Sequence, residues 1–422
     1  MNDPSAALRP PSEFRLGWKV LLAALLGTAF GASPIPFQTT GFFMAPLQQE
    51  FGWSLSQISL GLTIYGVLGA LLAPFYGMLA DRHGVRVVAL SALAVFGVVF
   101  ACFSLTPSLS VFYALWTMVG LVGIASTPLT WSRAIGLWFF RSRGLALGLT
   151  LIGTSITAIL LPPLTAWLIG TYGWRFSYAA IALLPLGVAL PVGLLLFREP
   201  RPEERPPELA VAALDGRQVL AGLTLEESMR SPRFWVLIAS TALISFAYAG
   251  GLVHLPQMLK GAGFTPVQVA PIMSVWGASI FIGRLGSGLL LDRFWAPLVM
   301  LPILSLPALG CMLLANDSLP YASAVIAAVL FGLSSGAETD LIAYLASRYF
   351  GMAHYGKIYG VVYMTFGIGS ALSPVSYAAV RDATGTYDPI LYACAVMFAV
   401  GALLLLTLGR YPDFNRPATT AG

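Results

Sequence analysis

Apolar residues along this chain do not alternate with polar ones. They run in long blocks, and charges collect in the short gaps between blocks. Twelve blocks are each about 20 residues or longer, the length an α-helix needs to cross the hydrocarbon core of a bilayer. In the first half they cover roughly 18–45, 55–80, 85–105, 109–138, 144–168 and 174–197. In the second half they cover roughly 233–258, 266–291, 297–315, 320–349, 357–380 and 388–410. Between the halves the pattern breaks at "REPRPEERPPEL", a stretch rich in proline and charge that predicts an exposed linker. The pattern predicts an all-α membrane protein of twelve transmembrane helices: a tail over 1–17, a six-helix bundle over 18–197, a linker over 198–231, a second six-helix bundle over 232–410 and a tail over 411–422.

Composition agrees. The 422 residues are 57% hydrophobic and 10% charged, with a mean hydropathy of +0.81. Soluble domains carry about 25% charged residues. The first apolar block is long and continues as a span, so no cleavable signal peptide is expected. Cys102, Cys311 and Cys394 each lie in an apolar run, with no disulfide framework or metal-ligand spacing. The net charge of +5 is not a nucleic-acid footprint, because its meaning depends on where the cations fall. With both termini cytoplasmic, Lys19, Arg82, Arg86, Arg141, Arg143, the linker arginines, Arg293, Arg348, Lys357 and Arg410 lie inside, and only Arg175, Lys260 and Arg381 lie outside. No phosphate-cradling loop, metal cluster or nucleophile with a spaced base is present, so neither an enzyme nor a bound cofactor is expected.

The halves repeat. "QISLGLTIYGVLGALLAPFYGMLADR" from Gln57 overlays "QVAPIMSVWGASIFIGRLGSGLLLDR" from Gln268 without gaps. Tyr65 meets Trp276, Gly66 meets Gly277, Gly77 meets Gly288, and Asp81-Arg82 meets Asp292-Arg293. Upstream, Ser54 and Thr265 are the expected N-caps. Gly148 to Pro162 and Gly360 to Pro374 share one spacing. Two six-helix halves in parallel repeat predict a rocker-type secondary transporter with its site at the interface.

"GMLADRHGVRVV" (Gly77 to Val88) and "YGWR" (Tyr172 to Arg175) resemble signatures of the major facilitator superfamily. Within it, "FRSRGLALGLTLIGTSI" (Phe140 to Ile156) looks like the fifth-helix signature of monocarboxylate transporters, and "GAETDLIAYLASRYFG" (Gly336 to Gly351) is similar to bacterial members of that group and of the oxalate/formate antiporters. The resemblance implies the major facilitator fold and a multi-pass protein of the bacterial inner membrane. It also implies that Arg284 of the eighth helix binds a substrate carboxylate. Animal members pair this arginine with an aspartate one turn earlier, where this chain has Ile280, and carry a first-helix lysine absent from "PIPFQTTGFF".

Arg284 lies about 12 Å along its helix from Asp292, too deep for an easy reach to the interface. Its repeat twin is Ala73, so the shared scaffold does not demand an arginine there. A guanidinium grips a carboxylate bidentately and stays charged; the alternative is a structural ion pair within the second half. Asp81, Arg82, Arg86, Arg133, Asp292, Arg293 and Arg348 at helix ends read as a gating latch. Glu338 and Asp340 are acids well inside a span, about 200° apart on their helix, and either is a proton-coupling candidate or a structural partner. His254 is a third proton candidate, or a polar residue near an interface. Gln38, Thr130, Tyr359 and Tyr363 are candidates to complete the substrate pocket, with Thr39, Thr40, Trp131 and Thr154 nearby in the pattern. Gly250-Gly251 either loosens the seventh helix or permits close packing. The expected partners are a small carboxylate, protons and the lipid bilayer, with function as a monomer and no nucleic acid. The reading is a proton-coupled monocarboxylate symporter; the alternatives are efflux or exchange of another amphipathic or anionic molecule, and a transporter-shaped ligand sensor.

Overall fold

The computed structural model describes residues 13–139, 142–200, 222–291, 293–316, 319–351 and 353–412. Almost all of it is helical. Eleven continuous segments are long and apolar enough to cross a bilayer, and one of them, Arg143–Leu196, has 54 residues. At 1.5 Å per residue that is about 80 Å, far more than one crossing of a roughly 30 Å core. It divides at Gly173, whose φ of 80° and ψ of 167° leave the helical region. A left-handed φ costs glycine nothing and any other residue strain, so the glycine of "YGWR" turns the chain back. The twelve spans are α1 (Glu13–Phe51), α2 (Leu55–His83), α3 (Val85–Leu105), α4 (Leu109–Trp138), α5 (143–172), α6 (174–196), α7 (Pro232–Gly261), α8 (Pro266–Leu291), α9 (Ala296–Leu314), α10 (Tyr321–Phe350), α11 (Tyr355–Thr384) and α12 (Asp388–Leu406).

Several edges differ from those read in the sequence. α1 begins at Glu13, inside the expected tail, and is broken into Glu13–Ala29 and Pro34–Phe51. Proline at the start of the second piece has no N–H to give and restricts the residue before it. α4 is likewise broken, by a 3₁₀ turn over Gly123–Ser126 ahead of Pro128. The expected linker carries a short helix, Leu225–Arg230, closed by a reciprocal cap between Thr224 and Glu227. The Leu223 N–H donates to the Phe350 carbonyl (2.8 Å), tying the linker's end to α10.

With six spans per half, the start of α1, the end of α6, the start of α7 and the end of α12 lie at one end of the bundle, the linker end; the turns after α1 and α7 lie at the far end. The repeat is visible in both halves. Ser54 Oγ accepts from the Gln57 N–H (3.1 Å), and Gln57 Oε1 accepts from the Ser54 N–H (2.9 Å). At the twin position Gln268 Oε1 accepts from both the N–H and the hydroxyl of Thr265 (3.0 and 3.1 Å). Here the glutamine reaches back to Thr265, whose own hydroxyl donates and so does not cap the helix as Ser54 does.

The halves meet along two twinned seams, α2 against α11 and α5 against α8, and α1 also packs on α7. The twin glycines sit in those seams. A methyl group on Gly66 would stand 2.6 Å from Ala371 Cβ, and one on Gly277 would stand 2.5 Å from the Ala158 carbonyl carbon. Glycine lets the helices approach this closely. Gly250 serves packing too: a methyl group there would meet the Tyr377 ring at 2.2 Å, and its N–H donates to Ser373 Oγ (2.7 Å).

Candidate transport site

The hydrogen bonds that join the halves among the described residues lie at Arg284 and on its far-end side. Nearest the far end, Asp382 Oδ2 on α11 accepts from the Ser56 hydroxyl (2.6 Å) and the Ser56 N–H (2.9 Å) at the start of α2. A carboxylate at a helix N-terminus is favoured by the free N–H groups and the helix dipole. Gln257 Nε2 donates to the Gly41 carbonyl (2.7 Å), binding α7 to α1. Deeper in, Thr63 donates to the Ala371 carbonyl (2.7 Å) and Ser274 to the Ile159 carbonyl (2.8 Å). The far end is closed in this structure. Asp382 escaped the sequence reading because an acid beside a loop looks like any solvated end.

His254 belongs to this closure. It is 0% exposed, its Nε2 lies 2.8 Å from the Pro374 carbonyl, and its Nδ1 lies 3.0 Å from the Tyr387 hydroxyl. A carbonyl only accepts, so Nε2 carries the hydrogen and Nδ1 accepts from Tyr387. The Ser59 hydroxyl of α2 stands 3.3 Å from Nε2. The imidazole thus braces α7 against α11 and faces α2, about 9 Å along α7 from Tyr248, the residue that matters at the next level.

That level is built around Arg284. Its Nη1 donates to the Leu151 carbonyl on α5 (2.8 Å) and lies 3.5 Å from the Thr154 hydroxyl. These partners are in the opposite half, so the arginine spans the α5–α8 seam. α10 packs against the same face of α8: a methyl group on Gly336 would stand 2.6 Å from the Arg284 backbone nitrogen. Two residues further on, Glu338 is 4% exposed, and its Oε1 accepts no hydrogen bond from the described residues. Tyr248 of α7 links them. Its hydroxyl accepts from Trp276 Nε1 (3.1 Å) and lies within electrostatic reach of both Arg284 and Glu338. Nothing local in the sequence marks Tyr248; only the meeting of α7, α8 and α10 does.

The other expected pocket residues separate into two groups. Tyr359 and Tyr363 form part of an aromatic ladder on one face of α11, in the order Tyr355, Tyr359, Tyr363 and Phe366, with successive ring centroids 5.5–5.6 Å apart. All four are half-buried. Gln38 is 6% exposed, with Oε1 accepting from no described residue. The remaining positions are buried. Thr39 and Thr40 spend their hydroxyls on the Ile35 and Pro36 carbonyls, Trp131 covers Gly27 and donates to Ser126, and Thr130 is 2% exposed.

The latch residues that are described bond within their own halves. Arg133 donates to the Gly77 carbonyl, and Arg86 donates to the Leu194 carbonyl (2.9 Å). Arg348 lies over the Tyr411 ring at 4.5 Å, and Arg82 and Arg293 are exposed. The side chains of Asp81 and Asp340, and all of Asp292, lie outside the described residues.

The sequence profile described as "Major Facilitator Superfamily" matches residues 20–374. The chain belongs to that superfamily. It is a multi-pass membrane transporter and not an enzyme. Monocarboxylate transporter 13 of Bos taurus is 26% identical to this superfamily member over 97% of the chain and 93% of that protein. An uncharacterized MFS-type transporter of Bacillus subtilis (strain 168) is 28% identical over 93% of the chain and 95% of that protein. The fold is shared with a solved bacterial homolog of the human lysosomal transporter Spinster, at a TM-score of 0.67 and 18% identity, covering 95% of this chain and 97% of that one.

The far-end closure of this transporter can be opened selectively. Asp382→Ala removes two hydrogen bonds at an exposed site, worth together about 1–2 kcal/mol. The expected result is a shift toward the far-end-open state by roughly 5- to 30-fold, read as reactivity of a single cysteine at position 59 toward a membrane-impermeant maleimide. Unchanged reactivity would show that this clasp does not hold the end shut.

Proposed function

We propose that this chain is a secondary transporter of small organic anions, a proton-coupled monocarboxylate symporter that works by alternating access. The observation that carries the reading is the Arg284 guanidinium, which donates to a backbone carbonyl of the opposite half, with Tyr248 facing both it and the buried Glu338 carboxyl. A guanidinium can grip a cargo carboxylate through two parallel hydrogen bonds. Cargo arriving at Arg284 competes with the Leu151 carbonyl, so binding and the state of the α5–α8 seam are coupled. Glu338 is the proton carrier in this scheme. A buried carboxylate needs a proton or a cation to offset its charge. Gln38, Tyr359 and Tyr363 complete the pocket, and Asp382 and His254 form the far gate. The excess of lysine and arginine at the linker end supports a cytoplasmic side for that end, and the proposed membrane is a bacterial inner one. The similarity to monocarboxylate transporter 13 supports the cargo class.

The aromatic ladder on α11 favours a second reading, a larger amphipathic anion whose apolar body lies on the rings. Purified protein in proteoliposomes separates the readings. Labelled monocarboxylates of graded size are offered with the lumen alkaline. The expected result is accumulation that a protonophore abolishes, with the rate peaking at small acids. Uptake indifferent to the gradient would remove proton coupling, and a peak at large aryl acids would favour the second reading.

A further inference from the structure

At the linker end of the second half, three arginines from three separate elements share one cleft. Arg293 follows α8, Arg348 closes α10 and Arg410 follows α12, and all three are exposed. They line a cavity of about 740 Å³ together with Trp295, Tyr344 and Tyr411. Its aromatic floor is fixed. Tyr411 accepts from the Ala296 N–H (3.0 Å), Tyr349 donates to the Gly409 carbonyl (2.6 Å), and Trp295 Nε1 lies 3.3 Å from the Tyr349 hydroxyl. Arg348 rests on the Tyr411 ring. Among the described residues the lining holds no carboxylate.

The internal repeat makes this arrangement informative. Arg198-Glu199-Pro200 after α6 corresponds to Arg410-Tyr411-Pro412 after α12. In the first half the acid of that triplet is used: Glu199 Oε1 accepts from the Arg86 N–H (3.2 Å). In the second half a tyrosine replaces it. The first half thus supplies its own anion at this corner, whereas the second half assembles three cations around an opening. Like charges gathered in this way are stabilised by an external anion. A planar guanidinium suits phosphate oxygens, and basic clefts at the membrane surface suit lipid headgroups. The wall beside the cleft decides the source of the phosphate. Phe294 is 58% exposed, Leu298 59% and Leu289 69%, an apolar flank suited to acyl chains. Trp295 and the tyrosines are the residue types that sit at headgroup depth.

We propose that this cleft binds the headgroup of an anionic phospholipid, with its acyl chains lying along α8 and α9. The lipid bridges the ends of α8, α10 and α12 and braces the second half as a unit. The test is native mass spectrometry of the purified full chain offered equal amounts of phosphatidylglycerol and phosphatidylcholine, alongside a variant carrying Arg293→Gln, Arg348→Gln and Arg410→Gln. Wild type should retain phosphatidylglycerol in preference to phosphatidylcholine, and the variant should lose at least about fivefold of that preference. Equal retention by wild type and variant, or no preference in wild type, overturns the proposal. So does displacement of the lipid by millimolar glycerol phosphate, which would assign the cleft to a soluble anion. Should the triple variant not fold, Arg410→Gln alone, outside the helices, is expected to lose at least about twofold, and no loss in it counts equally against the site.

Discussion

Arg284→Ala should lower carboxylate uptake by more than about 100-fold, because a charge-assisted, partly buried ion contact of about 3 kcal/mol or more is lost. Arg284→Lys separates charge from shape. Lysine restores the positive charge as a point donor without the planar fork, so partial recovery, with an affinity still about tenfold weaker than wild type, is expected. Both variants also lose or alter the bond to the Leu151 carbonyl, so thermal stability is measured in parallel to separate binding from folding. If well-folded Arg284→Ala and Arg284→Lys both transport organic acids like wild type, the arginine belongs to the seam and not to the cargo.

Glu338→Gln is expected to uncouple transport from the proton gradient. The amide keeps the volume and a carbonyl oxygen but cannot ionise. A gradient of one pH unit is worth about 1.4 kcal/mol per proton, which sustains about tenfold accumulation in a one-to-one symporter. In the variant, accumulation should fall to the level without a gradient, while exchange of external label against preloaded cargo continues. Gradient-driven accumulation that survives the substitution would move the proton site elsewhere. Asp340, on another face of the same helix, is then the next acid to replace.

The parts of the fold that show in the sequence are those set by local composition. Each span is an apolar block as long as the bilayer is thick, and the repeat survives as matched glycines and caps. Helix interruptions show less well, because the apolar run through Phe30–Ser33 continues unbroken and prolines in membrane helices are common. Arg284 and Glu338 stood out because a charge inside an apolar block is costly wherever it points. Tyr248 did not, since a tyrosine among apolar residues is unremarkable until three helices converge on it. The same reason hid the fate of Trp131, Thr39 and Thr40: pattern gives a residue's helix but not its neighbour.

In the proposed alternating-access cycle the twin glycine contacts are the natural fulcrum. Gly277 lies about 16 Å along α8 from Pro266 and about 21 Å from Leu291, near the middle of the lever. A tilt of about 10° there swings either helix tip by about 3–4 Å, while an atom at the pivot stays almost still. Arg284 is only about 10 Å along the helix from that pivot, so its head travels less than either gate. On the proposed reading, cargo gripped there is carried through the swing with little displacement; what moves is the water on either side of it.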